Sequence, residues 1–337
     1  MRRVVAGLLV TLALVLLVGT VGALWLVRDP APHFAARYAP IVAVEESAPR
    51  VEDGHRVHDA SLTSASGLAV DLTVKRPLAD SADTAAPTPR PLVLLLGGHR
   101  TGRDAAALIA DTRGAVVASL SYPFDGNDRA KGVAVAREAP GIRGAMLDTP
   151  PAIRVALDYL LAQPWVDPTR VEGVGVSLGA PFMTIAGALD ARIGRVWSIH
   201  GAGDPYRLLS ANLERYVGGA GPRAAVAGLA HVAINGPGLA PERWVGQIAP
   251  RPFVMINASD DTRIPRDAVL TLYDAADEPR ELVWMTGGHV GPRRADIVQR
   301  LVDMVFARMA RQPLARGTPA TATPRVPRPA TDARTPA

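Results

Sequence analysis

Short apolar runs alternate with stretches of helical periodicity along this chain, and this alternation limits the possible folds more than any other feature. Strand-like runs rich in Val, Ile and Leu occur at residues 91–96, 115–120, 170–176, 195–200, 252–257 and 281–285. Helix-like segments occur at residues 104–111, 149–163, 178–189 and 295–308. Strands that alternate with helices predict an α/β fold, in which a mainly parallel sheet is covered by helices on both faces.

Composition is consistent with one α/β domain at about residues 51–311. The chain has 337 residues, of which 48% are hydrophobic, and this is enough to bury a large core. Alternating apolar residues on either side of Ser66-Gly67 predict a β-hairpin near the start of this domain. The sequence contains no cysteine, which excludes disulfides, thiolate metal sites and a cysteine nucleophile.

The net charge does not indicate a nucleic-acid partner. Five arginines and one aspartate between Arg311 and Ala337 carry most of the formal charge of +5. The remainder of the chain is therefore close to neutral and has no evident basic stripe. The Pro- and Arg-rich tail, residues 312–337, is predicted to be disordered because it lacks the apolar residues of a core.

The N-terminal residues 1–28 are predicted to form a transmembrane signal anchor. Residues 4–27 contain no charged side chain, and about 24 residues at ~1.5 Å each give roughly 36 Å of helix, enough to cross a bilayer core of about 30 Å. Arg2 and Arg3 precede this segment, so the positive-inside rule places the main domain outside the cytoplasm. The small residues of Val21-Gly22-Ala23 leave a cleaved signal peptide, with a secreted or periplasmic product, as the alternative.

Two further segments are predicted from composition and length. Residues 29–50 are rich in Ala, Pro and charge and are interpreted as a spacer between the membrane and the domain. About residues 202–250 form an insertion between two predicted strands that is long for a plain loop. Because ligands bind beyond the carboxyl ends of strands in such sheets, we expect this insertion to form a small helical lid over the site.

Ser177 lies in the pentapeptide Gly175-Val176-Ser177-Leu178-Gly179, between a predicted strand and a predicted helix. This is the arrangement of a serine nucleophile on a sharp strand-to-helix turn. The residues two before and two after the serine approach each other at such a turn, so both are glycine. The alternative is that Ser177 is an ordinary helix N-cap.

These motifs resemble the α/β-hydrolase superfamily over residues 55–310. The resemblance rests on the pentapeptide around Ser177 and on three further segments, Gly97-Gly98-His99, Asn257-Ala258-Ser259-Asp260-Asp261-Thr262-Arg263-Ile264-Pro265 and Gly287-Gly288-His289. Within the superfamily the chain is most similar to the dienelactone-hydrolase, prolyl-oligopeptidase-like and acyl-CoA thioesterase branches. The order Ser, Asp, His along the chain is that of the superfamily's catalytic triad.

The resemblance implies a triad of Ser177, Asp261 and His289. A serine hydroxyl needs an imidazole to take its proton, and the imidazole needs a carboxylate to fix its tautomer. Asp260 is the alternative acid, and only the position of Asp261 relative to Ile264-Pro265 favours Asp261. His200 is the alternative histidine, but it precedes the acid in the sequence and is expected to reach few of the loops that follow strands.

The expected oxyanion hole consists of two backbone N–H groups. One belongs to Leu178, which follows the nucleophile, and the other is assigned to His99 after an earlier strand, with Gly98 or Arg100 as alternatives. Many relatives have His-Gly in this loop, whereas this chain has Gly97-Gly98. Tyr122 and Phe124 are expected near the wall of the pocket.

The sequence therefore predicts a membrane-anchored serine hydrolase for a small-molecule or acyl substrate. It would cleave a carboxylic ester, a thioester or a related acyl bond through an acyl-enzyme on Ser177, and a peptide bond is also compatible with this chemistry. No metal or organic cofactor is implied, because the sequence shows no metal-ligand spacing and no dinucleotide-binding motif. The alternatives are a non-catalytic scaffold that binds a cell-envelope partner and an acyltransferase that uses the same triad.

Overall fold

The computed structural model describes residues 19, 22, 24–78, 88–98, 101–127, 130 and 132–314. Ten strands in this part of the chain form one sheet: β1 (Ile41–Glu46), β2 (Arg50–Glu52), β3 (His55–Ser64), β4 (Ala69–Pro77), β5 (Arg90–Leu96), β6 (Val116–Leu120), β7 (Val166–Val176), β8 (Arg195–Ile199), β9 (Phe253–Ala258) and β10 (Arg280–Met285). The strand order is β1-β3-β4-β6-β5-β7-β8-β9-β10, and β2 pairs with β3.

The sheet is mixed and mostly parallel. All neighbouring strands from β6 to β10 are parallel. The first four strands pair antiparallel with one another, and β4 joins β6 antiparallel. The central strands β6 and β9 are buried along their whole length, as their continuous apolar sequences predict for strands covered on both faces.

The described residues also contain the α-helices α1 (Ala31–Arg37), α2 (Val133–Leu161), α3 (Gly179–Leu189), α4 (Pro205–Leu213), α5 (Ala220–Ala233), α6 (Arg266–Ala275) and α7 (Ala295–Arg311). Three 3₁₀-helices span Gly102–Leu108, Pro241–Arg243 and Val245–Ile248. The strands and helices predicted over 56–308 are present, with boundaries that differ by a few residues in most cases.

The two faces of the sheet have separate apolar cores, because side chains alternate along each strand. On β5, Leu92, Leu94 and Leu96 contribute to the larger core, which includes residues of α2, α3 and α6. Val93 and Leu95 point to the opposite face and join a smaller core with α7 and the 3₁₀-helix Gly102–Leu108. The second face is therefore covered by less helical structure than the first.

Residues 29–50 belong to the folded domain and do not form the predicted spacer. Helix α1 buries Phe34, whose ring lies 5.6 Å from that of Trp244. Arg37 on α1 binds Asp148 on α2, and β1 adds an antiparallel strand beside β3. A buried aromatic residue, an ion pair and the pairing of β1 with β3 together dock a segment whose overall composition is that of a linker.

Two helices differ from their predicted form. Helix α2 begins at Val133, whereas its prolines at 150 and 151 predict a start at about residue 149. Buried apolar residues on both sides of these prolines, including Leu147 and Ile153, hold the helix together through them. The helix predicted at 104–111 is a 3₁₀-helix of seven residues, Gly102–Leu108.

The two ends of the chain lie largely outside the described residues. This applies to residues 1–18 of the predicted anchor and to residues 315–337 of the predicted tail. None of the described helices has the length and apolar character needed to cross a bilayer.

Candidate active site

Ser177 occupies a strained turn between β7 and α3. Its φ of +53° is unusual for a residue with a side chain, and its N–H donates to the carbonyl of Ile199 over 2.8 Å. A Cβ on Gly175 would lie 2.6 Å from the carbonyl oxygen of Gly179, and one on Gly179 would lie 2.2 Å from that of Leu96. The two glycines are therefore needed because backbone passes directly beside them.

The structure brings Ser177, His289 and Asp261 into one hydrogen-bonded chain. Ser177 Oγ lies 2.9 Å from His289 Nε2. His289 Nδ1 donates to Asp261 Oδ2 over 2.7 Å. Asp261 follows β9 and His289 follows β10, while Ser177 follows β7, so parallel strands deliver all three side chains to the same sheet edge.

Asp261 is held as a carboxylate by four hydrogen bonds. Its Oδ1 accepts from the N–H groups of Arg263 and Ile264, and its Oδ2 accepts from His289 and His200. Burial alone would raise the pKa of Asp261, but the hydrogen bonds from the two histidines outweigh it and hold the pKa well below its usual value. The group therefore stays negatively charged and can stabilise an imidazolium at His289.

Asp260, the alternative acid, has a different role. Its side chain is exposed and accepts a hydrogen bond from the N–H of Gly287 over 3.2 Å, while its own N–H donates to the carbonyl of Gly287. Asp260 thus ties the loop after β9 to the loop that carries His289. The structure places Asp261, and not Asp260, against the imidazole.

His200 lies much closer to the site than its sequence position predicts. It is fully buried at the end of β8, has a φ of +48°, and donates from Nδ1 to Asp261 Oδ2 over 3.0 Å. Its ring centre lies 5.3 Å from that of His289 in an edge-to-face arrangement. The expectation that His200 reaches few of these loops is wrong, because β8 and β9 are adjacent and their carboxyl ends meet.

The three side chains His200, Asp261 and His289 also offer ligand atoms within 4.8 Å of one another, a spacing that a metal ion could use. Asp261 Oδ2 already accepts from both imidazoles, and His289 Nε2 faces Ser177. The hydrogen bonds account for this cluster as part of the serine site.

One predicted oxyanion donor can be located. Leu178 directly precedes α3, so its N–H belongs to the positive end of that helix beside Ser177. Gly98 borders the serine as well, since a Cβ placed on it would lie 3.5 Å from Ser177 Cβ. His99, the predicted second donor, and Arg100 lie outside the described residues.

Tyr122 contacts the loop that contains Gly97 and Gly98. Its hydroxyl donates to the carbonyl of Gly97 over 2.7 Å, and its ring packs edge-to-face on Phe182. Burial raises the pKa of Tyr122, so the hydroxyl keeps its proton and remains a donor. Tyr122 therefore braces the Gly97-Gly98 turn, a role that no sequence signal indicated.

A cavity of about 990 Å³ opens beside Ser177 and His289. Its walls are β5, β7 and β8 on one side and α7 with the 3₁₀-helix Gly102–Leu108 on the other. None of the described residues of the 202–250 insertion lines it. Trp244 and Leu208 of the insertion join the larger core on the opposite face, and Asn212 donates to the carbonyl of Arg263 in the loop after β9. The insertion therefore lies beside the site without lining this cavity, and a lid over the site stays a prediction.

Comparisons with known proteins agree with this architecture. The structure resembles acetyl xylan esterase 1 from Thermoanaerobacterium sp. JW/SL YS485, with a TM-score of 0.56 at 16% identity over 83% of this chain and 94% of that one. It resembles the acetyl xylan esterase from Paenibacillus sp. R4, with a TM-score of 0.57 at 17% identity over 81% and 92% of the two chains. The α/β hydrolase GrgF from Penicillium sp. sh18 gives a TM-score of 0.51 at 18% identity over 75% and 99%.

The chain has the α/β-hydrolase fold. No family model matches its sequence, and no curated protein matches it either. The resemblance drawn from four short motifs is thus supported at the level of structure. At these identities the solved structures show the fold of the α/β-hydrolase superfamily and leave the chemistry to be argued from the site.

Proposed function

We propose that this protein is a serine hydrolase that cleaves carboxylic ester bonds through an acyl-enzyme on Ser177. The observation that carries the proposal is the hydrogen-bonded chain from Ser177 Oγ through His289 to Asp261. A serine, an imidazole and a buried carboxylate in this order form an activated nucleophile, whatever the fold that presents them. The esterases among the structural neighbours are consistent with the same reaction class.

The first half-reaction forms the acyl-enzyme. Ser177 Oγ attacks the ester carbonyl carbon while its proton passes to His289 Nε2, and Asp261 stabilises the resulting imidazolium. The oxyanion of the tetrahedral intermediate lies at the N-terminus of α3, where the Leu178 N–H is available to stabilise it. The bond to the leaving oxygen then breaks, and His289 returns the proton to the departing alcohol.

The second half-reaction repeats these steps with water. A water molecule gives a proton to His289 Nε2 and attacks the acyl carbon, and the C–O bond to Ser177 breaks as His289 returns that proton to Oγ. The products are a carboxylic acid and the free enzyme. An acyltransferase would use the same acyl-enzyme and differ only in the acceptor that replaces water.

Hydrolysis of p-nitrophenyl acetate by the purified chain and its variants tests the proposal. Ser177→Ala is expected to reduce kcat by at least about 10⁴-fold, because removal of the nucleophile leaves only the oxyanion hole and binding. Asp261→Asn is also expected to reduce kcat strongly, whereas the matched variant Asp260→Asn keeps it within about threefold, since that side chain bonds only the Gly287 backbone.

Three other outcomes would contradict or change the proposed function. No turnover by the wild-type chain with any short ester would support a non-catalytic scaffold and contradict the proposal. Turnover that persists in Ser177→Ala would place the chemistry elsewhere. Faster transfer of the acyl group to an added alcohol than to water would identify an acyltransferase.

The proposed location of the catalytic domain is extracytoplasmic, and residues 1–28 are the proposed membrane anchor. The apolar sequence of residues 4–27 supports it. The same ester assay locates the protein after cell fractionation. Ser177-dependent activity is expected in the membrane fraction for the full chain and in the soluble fraction once residues 1–28 are deleted, and soluble activity of the full chain would contradict the anchor and favour the cleaved signal peptide.

A further inference from the structure

The cavity beside Ser177 extends along one face of the sheet. It runs from the carboxyl ends of the strands, where the triad lies, back along β7 and β5. Its sheet wall runs from Val176, next to the nucleophile, back to Val174 near the end of β7 and to Val93 in the middle of β5. Val174 precedes Ser177 by three residues, so the wall extends roughly 10 Å below the serine at ~3.3 Å per residue.

Helix α7 forms the opposite wall of the cavity. Its lining residues extend from Val298 to Phe306, which is roughly 12 Å of helix at ~1.5 Å per residue. Apolar side chains that repeat every three or four positions, Val298, Leu301, Val302 and Val305, face the cavity. The 3₁₀-helix Gly102–Leu108 borders the same space through Ala105 and Leu108.

Apolar and charged side chains occupy different parts of the cavity lining. The side chains deep in the cavity are all apolar: Val93, Leu95, Ala105, Leu108, Ile109, Val174, Leu301, Val302, Val305 and Phe306. The charged side chains among the lining residues, apart from His289, are Asp260, Arg263, Arg293 and Arg294, and all of them are exposed or partly exposed near the loops of the triad. A ligand in this cavity would therefore place an apolar body inside and its polar end at Ser177.

We infer that this cavity binds the acyl chain of the substrate, and that the substrate class is esters of medium-chain to long-chain fatty acids. The inference rests on the proposed function, because the acyl group must be attached to Ser177 Oγ. An acetyl group would occupy only the mouth and leave the apolar walls unfilled. An extended alkyl chain removes those walls from water, and its carbonyl remains at the serine.

A series of p-nitrophenyl esters from acetate to dodecanoate, used below their aggregation concentrations, measures this preference. For the wild-type chain, kcat/KM is expected to rise by up to roughly fourfold with each methylene that the cavity buries. The value for octanoate is expected to exceed that for acetate by at least about tenfold. An octanoate-to-acetate ratio of one or less would overturn the inference.

Two substitutions on α7 test the position of the acyl chain. Val302→Trp fills the cavity from the helix side and is expected to lower the octanoate-to-acetate ratio at least about tenfold. Ala310→Trp lies on the same helix outside the cavity lining and is expected to leave the ratio unchanged. Val302→Ala enlarges the cavity and is expected to move the preferred chain length upward, which keeps the test decisive if the tryptophan variant does not fold.

The outcomes separate the two proposals. Acetate hydrolysis that depends on Ser177, combined with a ratio that Val302→Trp and Val302→Ala do not change, would overturn the acyl-chain assignment and leave the hydrolase intact. Absence of hydrolysis of every ester would overturn both. A ratio that falls in Val302→Trp and rises in Val302→Ala would support both.

Discussion

At the residue scale, Asp261 is the centre of the site because one of its oxygens accepts hydrogen bonds from two histidines. His289 connects it to the serine, and His200 approaches the same Oδ2 from the buried side. The His200 backbone is in the left-handed region, with φ +48°. Strain of this kind persists only where surrounding structure enforces it, and it clusters at functional sites. We interpret His200 as a positioning residue that fixes the Asp261 carboxylate.

Replacement of His200 tests this interpretation. His200→Leu removes the donor and is expected to reduce kcat about 10- to 100-fold, the effect of losing one hydrogen bond to a charged group. A carboxylate with one donor fewer keeps more of its charge for the imidazolium of His289, so protonation of the general base becomes easier and the acid limb of the pH–rate profile is expected to move to higher pH.

The control is His200→Asn, which retains a donor and tolerates positive φ. It is expected to restore most of kcat and the original pH profile. A fall in kcat that is equal in both variants and leaves the pH profile unchanged would mean that His200 has only a packing role.

At the scale of elements, the segment around α1 shows how contacts with a distant helix turn a linker-like sequence into part of a domain. Asp148 on α2 accepts hydrogen bonds from His33 Nε2 at 2.7 Å and from Arg37 Nε and Nη2 at 3.0 and 2.8 Å. These bonds, led by those from His33 and then Arg37, outweigh burial and lower the pKa of Asp148. Phe34 supplies the apolar contact beside them.

Asp148→Asn is expected to destabilise the fold by about 2 kcal/mol, because it removes a charge-assisted cluster that is mostly shielded from solvent. The corresponding fall in Tm is roughly 4–8 °C for a domain of this size. The pKa of Asp148 is lower in the folded state, so the stabilisation is complete above the unfolded-state pKa of about 3.9 and is lost as pH falls through the folded value.

Thermal melting at neutral pH measures this effect, with Asp274→Asn on α6 as a control at an exposed carboxylate. The control is expected to change Tm by less than about 1–2 °C. Equal Tm values for wild type and Asp148→Asn would show that α1 contributes little to stability, in agreement with a spacer.

At the scale of the whole molecule, sequence patterns predicted the features that depend on residues close together in the chain. Alternation of strands and helices predicted the sheet, and the spacing Gly175-Ser177-Gly179 predicted the turn, because the close backbone contacts there admit no side chain. The pairing of Asp261 with His289 was implied by the resemblance to the α/β-hydrolase superfamily, and it agrees with the rule that parallel strands end at one edge.

Features set by contacts between distant segments were not predictable in the same way. The role of His200 depends on β8 lying next to β9, and the docking of α1 depends on a partner 111 positions away. The insertion at 202–250 carries no signal of the face on which it packs. The cavity lies between β5, β7 and β8 on one side and α7 with the 3₁₀-helix Gly102–Leu108 on the other, and no single one of these segments predicts it.

The central claim is that Ser177 is the activated nucleophile of this fold. Treatment of the full chain with a fluorophosphonate, followed by intact mass measurement and peptide mapping, tests it most directly because the reagent reacts preferentially with a serine that an adjacent base activates. The account predicts one phosphonyl adduct per chain, on Ser177, and none in Ser177→Ala. An unmodified wild-type chain, or an adduct that forms equally in Ser177→Ala, would contradict it.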